Sequence, residues 1–233
     1  MRQFTDFASD ASKTMLSVLA DKLSSESVYR DAMYALGRDL AAKMAAQLAP
    51  TKTLDVCVAC TVEDADFLAS GIVAGFRDAG LADDRLKLAC FWNKRVKRFD
   101  GTEDDSFDVA PIVKEYREPM DVRHSVVVVV KSIISGACVV KTNLSSLIDD
   151  IEPERVFVAA PVMFKGSRER LASEFAPDVA NRFEFFTFAI DDQKSGEIVE
   201  PGIGGSVYSR LGLEEKDAYV PNIVKVRREA LTA

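Results

Sequence analysis

The chain has 233 residues, 48% of them hydrophobic, with a formal net charge of −7 at pH 7. That length suits one large domain or one domain with a small appendage. No apolar run reaches the ~18 residues needed to cross a bilayer, the polar start Met1-Arg-Gln-Phe-Thr-Asp-Phe7 lacks the apolar core of a signal peptide, and the acidic balance argues against a broad nucleic-acid interface. A cytoplasmic protein without membrane or nucleic-acid partners is expected, and a local basic site for a small phosphorylated ligand stays open.

Helical periodicity runs through residues 14–48, with Leu16, Leu19, Leu23, Val28, Met33, Leu36, Leu40 and Met44 recurring at three- to five-residue steps. Ser24-Ser25-Glu26-Ser27 resembles an N-cap signal and predicts a break into two helices, and Pro50 stops the second. A first strand is expected over 54–61, a helix over 64–79 ending at Gly80, and a second strand over 86–92. Ser125 followed by five valines predicts a third strand, apolar on both faces and therefore buried between two layers. Strands over 155–162 and 182–190, with helices over 137–150 and 165–176 between, complete the pattern. Strands alternating with helices predict an α/β fold: a three-layer, mostly parallel sheet of about five strands.

The four cysteines fall in or beside apolar runs, which suits buried thiols in a reducing compartment. Cys57-Val-Ala-Cys60 has the spacing of a redox or metal pair, but residues three apart in a strand point to opposite faces. His124 is the only histidine, so a histidine-based dyad or metal site has little material. Trp92 ends the second strand and reads equally as a stacking surface or a core anchor.

Chemistry is expected where the third strand ends. Lys131-Ser132-Ile-Ile-Ser135-Gly136-Ala137-Cys138 is a small-residue turn leading into a helix, and such a turn offers unpaired N–H groups to an anion. The carboxyl ends of parallel strands are also where open α/β sheets bind ligands. Two insertions flank this point. The excursion over 93–119 concentrates Lys94, Arg95, Lys97 and Arg98, either as an anion-gripping lid or as a loop balanced by Glu103, Asp104 and Asp105. The second insertion, Pro201-Gly202-Ile203-Gly204-Gly205, allows close main-chain approach to a ligand, or simply turns.

The order of these pieces resembles the uracil phosphoribosyltransferase branch of the type I phosphoribosyltransferases over about residues 28–215. Glu118-Pro119-Met-Asp-Val-Arg123-His-Ser-Val-Val-Val-Val-Val130 is similar to that family's lead-in to its diphosphate-sugar motif. Ala189-Ile-Asp191-Asp192 and Pro201-Gly-Ile-Gly-Gly-Ser-Val-Tyr-Ser-Arg-Leu-Gly212 resemble its Ala-Ile-Asp-Glu and base-binding loop. Tyr29-Arg-Asp-Ala-Met-Tyr-Ala-Leu-Gly-Arg-Asp-Leu40 resembles its N-terminal helix. The resemblance implies transfer of ribose 5-phosphate from phosphoribosyl diphosphate to a pyrimidine or related base, releasing pyrophosphate, in a homodimer. It also implies an N-terminal helical segment over residues 1–50, packing on or dimerising the core, and an α/β domain over 51–233 with a hood, or base-binding loop, near the C-terminus.

If the chain is an active enzyme of this kind, Lys131, Asp191 and Arg95 are the catalytic candidates. Lys94, Arg98, Ser132, Ser135, Gly136, Ala137, Cys138, Pro201, Gly202, Ile203 and Gly204 become the substrate-binding candidates. Mg2+ is the implied cofactor, yet Lys131 stands where the family's motif opens with a carboxylate, and an ammonium cannot ligate a hard cation. No residue is assigned to a metal. The family's Arg-Ala-Gly at the pyrophosphate corresponds to the neighbourhood of Val62-Glu63-Asp64, whose acids would repel a diphosphate. Gly205, Tyr208 and Ser209 replace its two aspartates and arginine, with Arg210 one place off. Two readings therefore stand: an active glycosyl-transferring enzyme with altered requirements, or a catalytically inactive nucleotide-binding sensor or partner-binding protein on the same fold.

Overall fold

A computed structural model describes residues 1–48, 55–94, 96–97, 108–120, 125–148, 150–213 and 218–232. The chain opens with β1 (Arg2–Phe4), α1 (Asp10–Ala20), α2 (Glu26–Ala45) and β2 (Asp55–Thr61). A 3-10 turn (Val62–Asp64) and a π turn (Ala65–Ala69) lead into α3 (Ser70–Asp78), and β3 (Leu86–Asn93), β4 (Val96–Lys97), β5 (Asp108–Val109) and β6 (Ile112–Arg117) follow. Next come β7 (Ser125–Val130), β8 (Ile133–Ile134), α4 (Cys138–Ile148), β9 (Arg155–Ala159) and β10 (Val162–Phe164). The remainder is α5 (Ser167–Ser173), α6 (Pro177–Ala180), β11 (Phe183–Phe186), β12 (Ala189–Asp191), β13 (Gln193–Ser195), β14 (Ile198–Glu200), α7 (Val207–Arg210) and α8 (Asn222–Thr232).

The central sheet has the order β11-β9-β7-β2-β3-β6, parallel except for β6 at the edge. Its strands are apolar on both faces because both faces are covered. Val56, Val58 and Cys60 of β2 and Val126, Val128 and Val130 of β7 pack in one cluster with Met33, Leu36 and Leu40 of α2 and Ile72 and Phe76 of α3. Cys57, Ala59, Val127 and Val129 face the other way, toward Val140 and Leu144 of α4 and Leu171 of α5. Three layers result, with Cys57 and Cys60 on opposite faces as their spacing requires. All four cysteines are free thiols, and Trp92 is buried in the core, donating Nε1–H to the Tyr219 carbonyl at 2.9 Å.

The N-terminal helices belong to this same core. Ser9 and Ser25 cap α1 and α2 by accepting from the Ser12 and Val28 N–H groups, each satisfying an otherwise orphaned donor. Leu23 and Val28, expected on the apolar stripe, are exposed instead, because they flank the break between the helices. Helix α2 lies tightly on α3. A Cβ on Gly37 would sit 2.2 Å from the Leu68 carbonyl oxygen, and one on Gly71 2.2 Å from that of Tyr34, so glycine is what permits the approach.

The central sheet has the five parallel strands expected, and the chain forms further strands besides. Three of the parallel strands break and restart, and their continuations β8, β10 and β12 form a second sheet, with β1 added antiparallel to β12. The spans 155–162 and 182–190 are thus two strands each. Pro161 lies in the first gap and lacks the N–H to continue a ladder, while Thr187 in the second turns its hydroxyl onto the Pro161 and Ala189 carbonyls. Among the described residues of the 93–119 excursion, β6 closes the sheet edge and β4 pairs with β5. Helix α8 had no local start signal, since its first N–H groups, those of Asn222 and Ile223, are capped by Asp66 from the far side of the chain at 2.8 and 2.9 Å. No helix among the described residues is long and apolar enough to cross a membrane.

Candidate functional site

In the parallel part of the sheet, β2 connects outward through α3 to β3, whereas β7 connects in the opposite direction through α4 to β9. The carboxyl ends of β2 and β7 are therefore a topological switch point, where diverging connections leave a crevice. A cavity of about 390 Å³ opens there. Thr61, Glu63, Asn93, Lys131 and Ser132 form its core side, with Ser135 and Val139 at the head of α4. Its opposite wall is the hood, comprising Glu197 to Val199 of the β13–β14 hairpin, Ile203, and Gly205 to Tyr208.

A charged cluster forms the cavity's floor. Lys131 Nζ donates to Asp64 Oδ2 at 2.8 Å, to Glu63 Oε1 at 2.9 Å and to Thr61 Oγ1 at 3.1 Å. Asp64 additionally accepts from the Thr61 hydroxyl at 2.8 Å and from the Ser132 N–H at 3.1 Å. Glu63 Oε2 accepts from the Tyr208 hydroxyl at 2.6 Å. The side chains of Lys131, Glu63 and Asp64 are only 13%, 8% and 1% exposed. Burial pulls the Lys131 pKa down, but Asp64 and then Glu63 outweigh it and hold the ammonium well above the ordinary lysine range. One cation thus faces two carboxylates, so the three ionic side chains carry net negative charge. The acids that follow the first parallel strand and the lysine at the third strand's end are thus partners of one another.

At the other end the turn Ser135-Gly136-Ala137 leads into α4, an eleven-residue helix. A Cβ on Gly136 would meet nothing within 4 Å, so the turn borders open space. Ser132, 1% exposed, lines the cavity and its hydroxyl has no hydrogen-bond partner among the described residues. A buried, unsatisfied hydroxyl beside a helix N-terminus fits an anion acceptor: both present donors, and the dipole adds positive potential.

The predicted site residues separate into three groups. Lys131, Ser132, Ser135 and Ile203 line the cavity; Gly136, Ala137 and Cys138 adjoin it at the head of α4. A second group shapes the hood instead. Asp191 is fully buried, and both its oxygens are held by Arg2, at 2.9 and 2.8 Å, with the Gly202 N–H on Oδ2 at 2.9 Å. Arg2 also donates to the Gly202 carbonyl. Asp191 therefore fixes β1 to the hood and does not line the cavity. Gly202 and Gly204, at φ +52° and +75°, have their missing Cβ positions within 2.2 Å of the Val199 and Leu19 carbonyl oxygens, so they serve close packing; Pro201 precedes them on the surface. Arg210 likewise turns away, donating to the Asp21 and Lys22 carbonyls. In the third group, Lys94 is exposed and outside the cavity wall, while Arg95, Arg98 and His124 lie outside the described residues. Glu63 and Tyr208, which the resemblance set at pyrophosphate and base-loop positions without a binding role, line the cavity, and Asn93 was not expected there. The signal for Glu63 was its place directly after the first parallel strand.

Magnesium does not fit this donor set. Of the two lining carboxylates, Glu63 is engaged by the Lys131 ammonium, which also holds Asp64, and Glu197 stands on the hood; no group of three or more His, Cys, Asp or Glu side chains among the described residues is arranged to hold a metal.

No model of a known protein family matches the chain, and no curated protein does. Solved structures do. The chain is similar to the AQ2163 protein from Aquifex aeolicus, with a TM-score of 0.68 at 13% identity, over 90% of this chain and 97% of that one. The two share a fold. Looser matches, both with a TM-score of 0.43, are the hypoxanthine-guanine phosphoribosyl transferase of L. donovani (11% identity, 68% of this chain and 79% of that one) and the TT1426 protein from Thermus thermophilus (17% identity, 77% and 90%). Overlap at that level supports no conclusion about this chain.

Proposed function

We propose that this chain is a phosphoribosyltransferase-like domain that binds a small monophosphorylated molecule, of the ribose 5-phosphate or nucleoside monophosphate class, without turning over phosphoribosyl diphosphate. The observation that carries this reading is the Lys131–Glu63–Asp64 cluster on the cavity floor. Departure of pyrophosphate requires cations that neutralise the leaving oxygens. Here the one lysine that lines the cavity among the described residues is engaged by two carboxylates. A single phosphate makes a smaller demand, which the α4 N-terminus, the Ser132 hydroxyl and the Ser135 turn meet without a second cation.

The alternative is uracil phosphoribosyltransferase-like transfer to a pyrimidine, and it depends on Arg95 and Arg98 supplying the missing positive charge. A thermal-shift screen paired with a pyrophosphate-release assay separates the two. Stabilisation by ribose 5-phosphate or a nucleoside monophosphate, with no pyrophosphate released on adding phosphoribosyl diphosphate and bases, is the expected result. Magnesium-dependent stabilisation by the diphosphate, with pyrophosphate released, would overturn it.

A further inference from the structure

The contact between Tyr208 and Glu63 bears on what a ligand must present. Two of the contacts that hold Glu63 differ in character. Its Oε1 accepts from Lys131 on the sheet at 2.9 Å, and that lysine is fixed in turn by Asp64. Its Oε2 accepts a hydroxyl at 2.6 Å from Tyr208, which sits on the short α7 in the opposite wall. Gly205, at the base of that segment, adopts φ +117° with nothing within 4 Å of its missing Cβ. The carboxylate is therefore anchored on its core side and met across the cavity by a neutral hydroxyl donor. Another hydroxyl in that place keeps the carboxylate satisfied, because one O–H···O⁻ bond replaces another. A phosphate oxygen there would set two anions against each other.

We propose that Glu63 is a hydroxyl-recognising residue of the site and that Tyr208 is its exchangeable occupant. A ligand hydroxyl displaces the tyrosine from Oε2. The proposal rests on the phosphate-binding reading above and extends it: the phosphate lies toward Ser132 and Ser135, and a hydroxylated ring lies against Glu63. The ligand class is thus a phosphorylated polyol or sugar with free ring hydroxyls, and the protein's own phenol competes with it.

Calorimetric titration with ribose 5-phosphate and with 2,3-dideoxyribose 5-phosphate tests this in the wild type, Tyr208→Phe and Glu63→Gln. The wild type should prefer the hydroxylated sugar by about tenfold, the size expected for one hydrogen bond to a charged acceptor. Tyr208→Phe should bind ribose 5-phosphate several-fold more tightly, with the dideoxy sugar gaining less, since only the hydroxyl takes the vacated acceptor. Glu63→Gln should bring the two sugars to within about twofold of each other. Circular dichroism establishes that each variant is folded; if Glu63→Gln is not, Tyr208→Phe still decides, because a purely structural tyrosine would shift both sugars equally. Equal wild-type affinities, or a Tyr208→Phe variant that changes both sugars alike, would overturn the proposal while leaving the phosphate-binding reading intact. Failure of both sugars and of inorganic phosphate to bind would overturn both.

Discussion

Replacing Lys131 by methionine tests the charge cluster most severely. The substitution keeps an unbranched side chain of similar length and removes only the ammonium. Asp64, 1% exposed, and Glu63, 8% exposed, then lose a donor each. Removing one partner of a buried ion pair costs about 3–5 kcal/mol, since the remaining charge is left uncompensated. Asp64 keeps the Thr61 hydroxyl and the Ser132 N–H, and Glu63 keeps Tyr208, so the lower end, about 3 kcal/mol, is expected. In urea, with a slope near the ~3 kcal/mol/M of larger domains, the midpoint should fall by about 1 M at unchanged slope. The neutral combination Glu63→Gln, Asp64→Asn, Lys131→Met should recover most of that loss, because isolated charge rather than lost attraction is responsible. A single-variant loss below about 1 kcal/mol, or a neutral combination no better than Lys131→Met, would refute the reasoning.

The pH dependence of the same pair has a definite sign. The folded chain holds the Lys131 proton to higher pH than the unfolded chain, whose lysines titrate near ~10.4. The stability difference between wild type and Lys131→Met should therefore be steady from neutral pH to about 10 and shrink above it, in urea titrations at stepped pH. Arg2→Ala, which removes the guanidinium from both oxygens of the fully buried Asp191 and leaves it only the Gly202 N–H of the donors described above, should destabilise by about 3 kcal/mol in urea denaturation and speed proteolysis around residues 191–204. Gly71→Ala should cost about 2 kcal/mol by forcing α2 off α3; an unchanged midpoint would contradict the close approach. Under native conditions a maleimide should label Cys138 quickly and the other three cysteines only on unfolding, since burial pushes the Cys57 thiol up to about 12 and Cys60 and Cys90 are equally enclosed.

What could be read from the chain alone follows from the range of the forces involved. The valine run, the first two parallel strands and the Ser25 cap are local signals, and they form within a residue or two of expectation. The order of layers followed from strands apolar on both faces. Features set at long range were not legible. The cap on α8 comes from Asp66, the strand β1 needs Asp191 to hold Arg2, and the edge strand β6 has one mostly exposed face with little periodicity to detect. The site shows the same division. Lys131, Ser132 and Ser135 followed from their place at a strand end, whereas Glu63 and Asp64 read as two repulsive acids until the fold set them against Lys131, and Tyr208 read as a lost aspartate until the hood set it against Glu63.

The central claim is that this charge exchange leaves a monophosphate site and removes a diphosphate one. Calorimetric titration of the wild-type chain with ribose 5-phosphate and with phosphoribosyl diphosphate, each with and without magnesium, addresses it most directly. The account predicts that the monophosphate binds at least as tightly as the diphosphate and that magnesium changes neither. A diphosphate bound more than about tenfold more tightly, and only with magnesium present, would contradict it.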